Sequence, residues 1–151
     1  MSIKSLFVTL FLYLCAAGFC QAQDGKSAAI GTWKSIDDNT GEARSYVDLF
    51  VKGDKLFGKI SKLLDANADP SAVCDQCKSD DPRYKKPILG LEIIQDLAWS
   101  ERKDVWQSGK VLDPENGKEY TCKIWVTDDG LLKLRGYIGP LYRTQTWHPV
   151  K

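Results

Sequence analysis

The chain contains one histidine, one methionine and no block of like charge, and each scarcity removes a class of function. Hydrolytic triads need a base beside a nucleophile. The lone imidazole, His148, follows Trp147 near the C-terminus, and no serine or cysteine carries an elbow or family signature that would place it there. The carboxylates suggest no acid–base pair either, because Asp37-Asp38 and Asp113 fall in turn-like stretches where Asp commonly bonds the backbone. No enzymatic activity, cofactor or dedicated metal site is therefore expected. With 21 basic and 20 acidic side chains interleaved in sign along the chain, a nucleic-acid partner is not expected; such a protein gathers cations on one face.

Long apolar runs are also missing, save one at the start. Met1 to Lys4 form a short positive region, Ser5 to Phe19 an apolar run too short for a comfortable membrane span, and Cys20-Gln-Ala22 a small-residue cleavage signal. A signal peptide over residues 1–22, cut after Ala22 or Gln23, is expected. A lipoprotein anchor fits less well, since Phe19 precedes Cys20 and Leu14 precedes Cys15 where a small residue is needed. The remainder, residues 23–151, is expected to be one domain, periplasmic or secreted and not membrane-spanning. It is long enough to bury a core without staples. Helical periodicity and internal repeats are absent; only Pro70 to Ser79 could make a helical turn.

What remains is a succession of short alternating segments separated by turn signals. Strands are expected near 30–36, 44–51, 56–63, 88–97, 110–112, 120–126, 132–138 and 142–148. Turns at Asp37-Asp-Asn-Thr-Gly41, Lys52-Gly-Asp54, Asp113-Pro-Glu-Asn-Gly117, Asp128-Asp-Gly130 and Gly139-Pro140 punctuate them. Eight such strands predict an all-β, antiparallel, up-and-down β-barrel. Alternation places Val47, Leu49, Val51, Leu56, Ile60, Leu89, Leu91 and Ile93 inside, along with Cys122, Ile124, Val126, Leu132, Leu134 and Ile138. Gly58 and Gly136 fall on the same face, either leaving room or relieving strain where strands bend. Tyr46, Phe50, Phe57, Trp125 and Tyr137 take the other face among polar residues. They form an outer aromatic stripe, or rings buried by the long segment from Asp65 to Pro87.

Several segments together resemble known proteins. Gly31-Thr-Trp33 at the head of the first strand and an arginine in the last are similar to the calycin group, which includes the lipocalins. Gly31-Thr-Trp-Lys-Ser-Ile-Asp-Asp38, Leu56-Phe-Gly-Lys-Ile60, Asp113-Pro-Glu-Asn-Gly-Lys-Glu-Tyr120, Leu134-Arg-Gly-Tyr-Ile-Gly139 and Arg143-Thr-Gln-Thr-Trp147 resemble the exported bacterial family known as domain of unknown function 2147. The resemblance spans nearly all of the chain after the leader. It implies a lipocalin-like barrel in the bacterial envelope with no assigned activity. It further implies that Trp33, Arg143 and Trp147 form a structural plug at the barrel base. In lipocalin-like folds a guanidinium lies over the indole there, a contact worth on the order of 1 kcal/mol or more when shielded.

Three cysteines follow the leader, so one lacks an obvious partner. A Cys74–Cys77 disulfide with Cys122 buried is the simplest arrangement for an oxidising compartment. A redox Cys-x-x-Cys is opposed by acidic flanks at Asp75, Asp80 and Asp81. A zinc site would need Cys74, Cys77, Cys122 and His148 to converge.

Two functions remain. One is a binding protein that takes a small apolar or amphipathic ligand into the barrel mouth, with Ile93, Tyr120 and Leu134 as wall. The 65–87 segment would be its lid, and Tyr84 and Lys85-Lys86 would meet an acidic headgroup. The other is an envelope interaction module that grips a glycan or partner protein through the outer aromatic stripe.

Overall fold

The computed structural model describes residues 24–151, and the expected signal peptide lies outside them. One turn of helix, α1 (Gly25–Ala28), precedes β1 (Gly31–Ile36), β2 (Ala43–Lys52), β3 (Lys55–Leu63) and β4 (Glu92–Ser100). Then follow β5 (Val105–Asp113), β6 (Lys118–Val126), β7 (Leu132–Ile138) and β8 (Leu141–Pro149). Each strand pairs antiparallel with the next, and β8 returns to β1, closing the eight-stranded up-and-down barrel expected from the alternation. The closing seam is short. Only Trp33 opposite Pro149 and Lys34 opposite His148 are in register there, extended by a bond from Val150 N–H to Thr32 O.

β4 and β5 depart from the sequence expectation for a common reason. β4 starts at Glu92, because Gly90, at φ 87°, turns the preceding segment and leaves Leu89 exposed. Within β4 the alternation breaks: Ile93 and Ile94 are both buried, and Asp96 adopts a φ of 60°. β5 begins at Val105, well before Lys110, and Ser108 (φ 65°) with Gly109 interrupts its pattern. These irregularities face one another. A side chain at Gly109 would meet the Gln95 carbonyl at 2.3 Å, so the paired bulges close only over a glycine. Val51 and Ile138, expected inside, are exposed at strand ends beyond the packed interior. The stretch from Pro70 to Ser79 forms turns and bends without a helix.

The base is the end where α1, the β2–β3, β4–β5 and β6–β7 turns and the C-terminus meet. Asp24 caps α1 by accepting from Ser27 N–H at 2.7 Å, and two indoles then hold the segment on the barrel. Trp33 Nε1 donates to Ala29 O at 2.9 Å, and Trp106 Nε1 donates to Lys26 O at 3.1 Å. Trp106 is fully buried and packs edge-on to Trp99 at 5.4 Å. At about 25 cal/mol per Å², enclosing an indole of roughly 200 Å² is worth about 5 kcal/mol at most. The opposite end carries the β1–β2, β5–β6 and β7–β8 turns and the long 64–91 connection.

Candidate functional site

The mouth opens on a cavity of about 660 Å³ that runs into the barrel as far as Trp147. Strand alternation builds its apolar wall. Val47, Ile60, Ile93, Val111 and Leu134 project inward from β2, β3, β4, β5 and β7, and Tyr120 stands on β6. Gly136 is part of this wall, where a Cβ would make no contact closer than 3.4 Å, to the Tyr120 Cβ, with Val111 at 3.9 Å. Its missing side chain is therefore open cavity. Gly58 differs, because Leu49 already fills its place: a Cβ there would lie 2.6 Å from Leu49 Cδ2.

Polar groups collect at the rim. Ser35 and Ser45 share a hydroxyl hydrogen bond of 2.8 Å, and Gln145 accepts from Trp147 Nε1 at 3.1 Å. Arg44 of β2 bonds Glu115 in the β5–β6 turn and lies 3.6 Å from Asp37, so one guanidinium links two turns. The Thr40 and Asn39 backbone N–H groups hold the Asp37 carboxyl below its usual range, with Arg44 adding to the effect. The Ser71 hydroxyl and N–H lower Asp69 in the same way.

Residues 64–91 roof part of the mouth and are strapped down. Cys74 and Cys77 form a disulfide, and Cys74 exchanges backbone bonds with Lys86 (2.8 Å) and Lys85 (2.9 Å). Arg83 is the main tether. It grips Asp81 through Nε at 2.9 Å and through one terminal nitrogen at 2.6 Å, and reaches Glu119 on β6 at 2.6 Å. That hydrogen bonding drives the Asp81 carboxyl down and the Arg83 pKa up. Gly117, at φ 68°, completes the fastening: a Cβ there would sit 1.7 Å from the Gln76 carbonyl. The segment, which the sequence suggested as a lid, is thus fastened over part of the mouth by a disulfide, ion pairs and backbone bonds.

The sequence-derived site residues are placed as follows. Ile93, Tyr120 and Leu134 line the cavity together. Tyr84 and Lys85 do not; Tyr84 packs on the core from outside, and Lys85 Nζ lies over the Tyr84 ring at 5.4 Å. Lys85 is exposed, with its backbone at φ 57°. Trp33 and Trp147 are buried near the base, but Arg143 is not with them. Its register on β8 puts it six residues nearer the mouth than Pro149, the partner of Trp33, about 20 Å at the usual rise per residue. There it is largely exposed and donates from Nε to Asp38 at 2.9 Å. The plug is instead completed by Trp106 and α1, which the Ser-Gly interruption of β5 concealed. The links from Arg83 to Glu119, from Arg44 to Glu115 and between Ser35 and Ser45 were also missed, because only the folded chain brings these partners together.

Joined as a disulfide, Cys74 and Cys77 are not available as thiolate ligands. Cys122 is buried, and burial pushes its thiol up to about 12. His148 is on the exposed outer side of β8. The outer aromatics separate into two groups, each capped by cations. Lys62, Lys59 and Lys52 lie over Tyr46, Phe50 and Phe57, whereas Lys123 and Arg135 both lie over Trp125, at 5.2 and 5.3 Å. Among the described residues no helix is long and apolar enough to cross a membrane.

Comparison with known proteins agrees with this architecture. Among solved structures, the chain is similar to one described as "Protein HP1028 from the human pathogen Helicobacter pylori belongs to the lipocalin family". The match has a TM-score of 0.67 at 17% identity and covers 81% of this chain and 82% of that one, a likeness of fold. No curated protein matches. The family model described as "Uncharacterized protein conserved in bacteria (DUF2147)" matches residues 31–149, from the first residue of β1 to the last of β8. The chain is thus a member of that bacterial family, with a lipocalin-like barrel as its structure.

Proposed function

We propose that this protein binds a small apolar or amphipathic ligand in the barrel mouth and holds it without chemical change, outside the cytoplasm. The observation that carries the reading is the cavity itself. At about 660 Å³ it falls within the usual size of small-molecule sites, and apolar walls beneath a polar rim are the usual make-up of such sites. Strand packing and the strapped 64–91 roof hold it open in advance, so little ordering need accompany binding. Placement outside the cytoplasm draws support from the Cys74–Cys77 disulfide and from the leader-like first 22 residues.

Native mass spectrometry of gently purified protein, followed by titration of the stripped protein with a fluorescent fatty-acid analogue, tests the proposal. A retained lipid-like mass or saturable one-to-one binding is expected. Failure of both would overturn it. The outer-stripe alternative has less support, because four of the five rings that would stack on a sugar, Tyr46, Phe50, Phe57 and Trp125, already carry cations. Intact mass of the exported protein should show loss of residues 1–22 or 1–23, and an uncleaved chain would count against the leader.

A further inference from the structure

The mouth is asymmetric in a way that ligand holding alone does not require. Three large apolar side chains are among the most exposed in the described molecule and crowd the β7–β8 turn: Ile138 at 63%, Leu141 at 72% and Tyr142 at 61%. All three border the cavity opening. A soluble barrel has no structural use for such a cluster at the tip of a hairpin.

Charge differs on the two sides of this tip. Beside it on the outer surface runs a groove bordered by Lys78, Lys110, Lys118 and Glu119, with Tyr137 and Ile138 between them. Arg83 already holds Glu119, leaving the groove three lysines with no other acid on its border. Arg135 adds a further cation, stacked at 4.2 Å on the Tyr142 ring. The acids of the mouth, Asp37, Asp38, Asp65, Asp69, Asp113 and Glu115, belong to the end of β5 and to the other connections. Ile138 and Tyr120 border both the groove and the cavity, so one wall separates a cationic slot from an apolar interior.

We propose that the β7–β8 tip docks on an anionic lipid bilayer, with Leu141, Tyr142 and Ile138 entering the interface and Lys78, Lys110 and Lys118 meeting the phosphates. Apolar side chains flanked by lysines are the composition that binds such surfaces, and neither element suffices alone. The geometry also gives docking a purpose. Along the seam the β1–β8 ladder stops at Lys34 and His148, and farther toward the mouth the two sides are linked by the Arg143–Asp38 ion pair. An acyl chain leaving the bilayer would meet the cavity opening at the docked edge. This last point rests on the ligand-binding reading; the docking does not.

Co-sedimentation of the full protein with phosphatidylglycerol-containing vesicles tests the proposal, with pure phosphatidylcholine vesicles as the comparison. Binding to the anionic vesicles that weakens with salt is expected. Neutralising the groove (Lys78→Gln, Lys110→Gln, Lys118→Gln) should reduce it roughly 100-fold, at about fivefold per cation. Leu141→Glu should reduce it at least tenfold while leaving the melting temperature unchanged, since the side chain is exposed. Equal binding to both vesicle types, or an undiminished Leu141→Glu variant, overturns the proposal. So does a wild-type dimer that Leu141→Glu makes monomeric, which would assign the tip to a second copy of the chain. Fatty-acid-analogue binding without vesicles is read separately: protein that fills its cavity but ignores vesicles refutes docking alone, and protein that docks with an unfillable cavity refutes ligand binding alone.

Discussion

The two ends of the barrel are made by the same eight strands but rest on different interactions. At the base, Trp33, Trp106 and Trp147 are buried, and the indole N–H groups of Trp33 and Trp106 pin α1 across the opening. At the mouth, charged and hydroxyl groups together with the exposed Ile138, Leu141 and Tyr142 surround the cavity, and ion pairs and the close backbone approach at Gly117 fasten the connections there. The lesson is a division of labour: apolar burial with two indole hydrogen bonds closes the base, whereas ion pairs and the disulfide fasten the connections around the mouth. Stability and capacity are therefore separable.

Breaking the base should have the largest effect. Trp106→Ala is expected to cost about 3–5 kcal/mol and to lower the melting temperature by over 10 °C, read by calorimetry. A loss confined to ligand affinity would contradict the division. At the mouth, Gly117→Val combines a positive φ with a collision against the Gln76 carbonyl, and about 2–3 kcal/mol is expected. Amide exchange should then rise across 72–90 while the base stays protected. Arg83→Met should cost about 2 kcal/mol and loosen the same amides, by leaving Asp81 and Glu119 unpaired. Acid should mimic this loosening. Because the folded Asp81 is shifted down, its contribution is complete above the ordinary carboxylate range and fades only as pH falls below about 4. Exchange of the roof that quickened between pH 7 and 5 would implicate another group. The smallest effect on stability is expected from Gly136→Phe, within about 1 kcal/mol, yet its ring would occupy the cavity and weaken analogue binding at least tenfold.

Much of this division could be read in the sequence, for a physical reason. Period-two alternation with turn residues reports a strand's two environments directly, so the closed barrel and the inward Ile93, Tyr120 and Leu134 followed from pattern alone. The pattern failed where the backbone changes phase. The Ile93–Asp96 bulge and the Ser108-Gly109 kink each flip a strand's faces midway, which hid Trp106 and shortened β5. Arg143 was misplaced because which strands meet can be read from pattern, but the offset at which they meet cannot. Arg83 joins Asp81 nearby and Glu119 on a distant strand, and nothing in local spacing announces the second.

The seam carries a further consequence, for the order of events in folding. Its registered pairs join Trp33 to Pro149 and Lys34 to His148, the two extremities of the folded domain. Neighbouring hairpins can zip as soon as their own turns exist, but this last ladder must close the longest loop in the molecule. A nascent chain short of its C-terminal strand can only be an open, unsealed ribbon. Cylinder formation is thus a late and all-or-none event, and trimming the last few residues should leave a protein with its hairpins intact and no lumen.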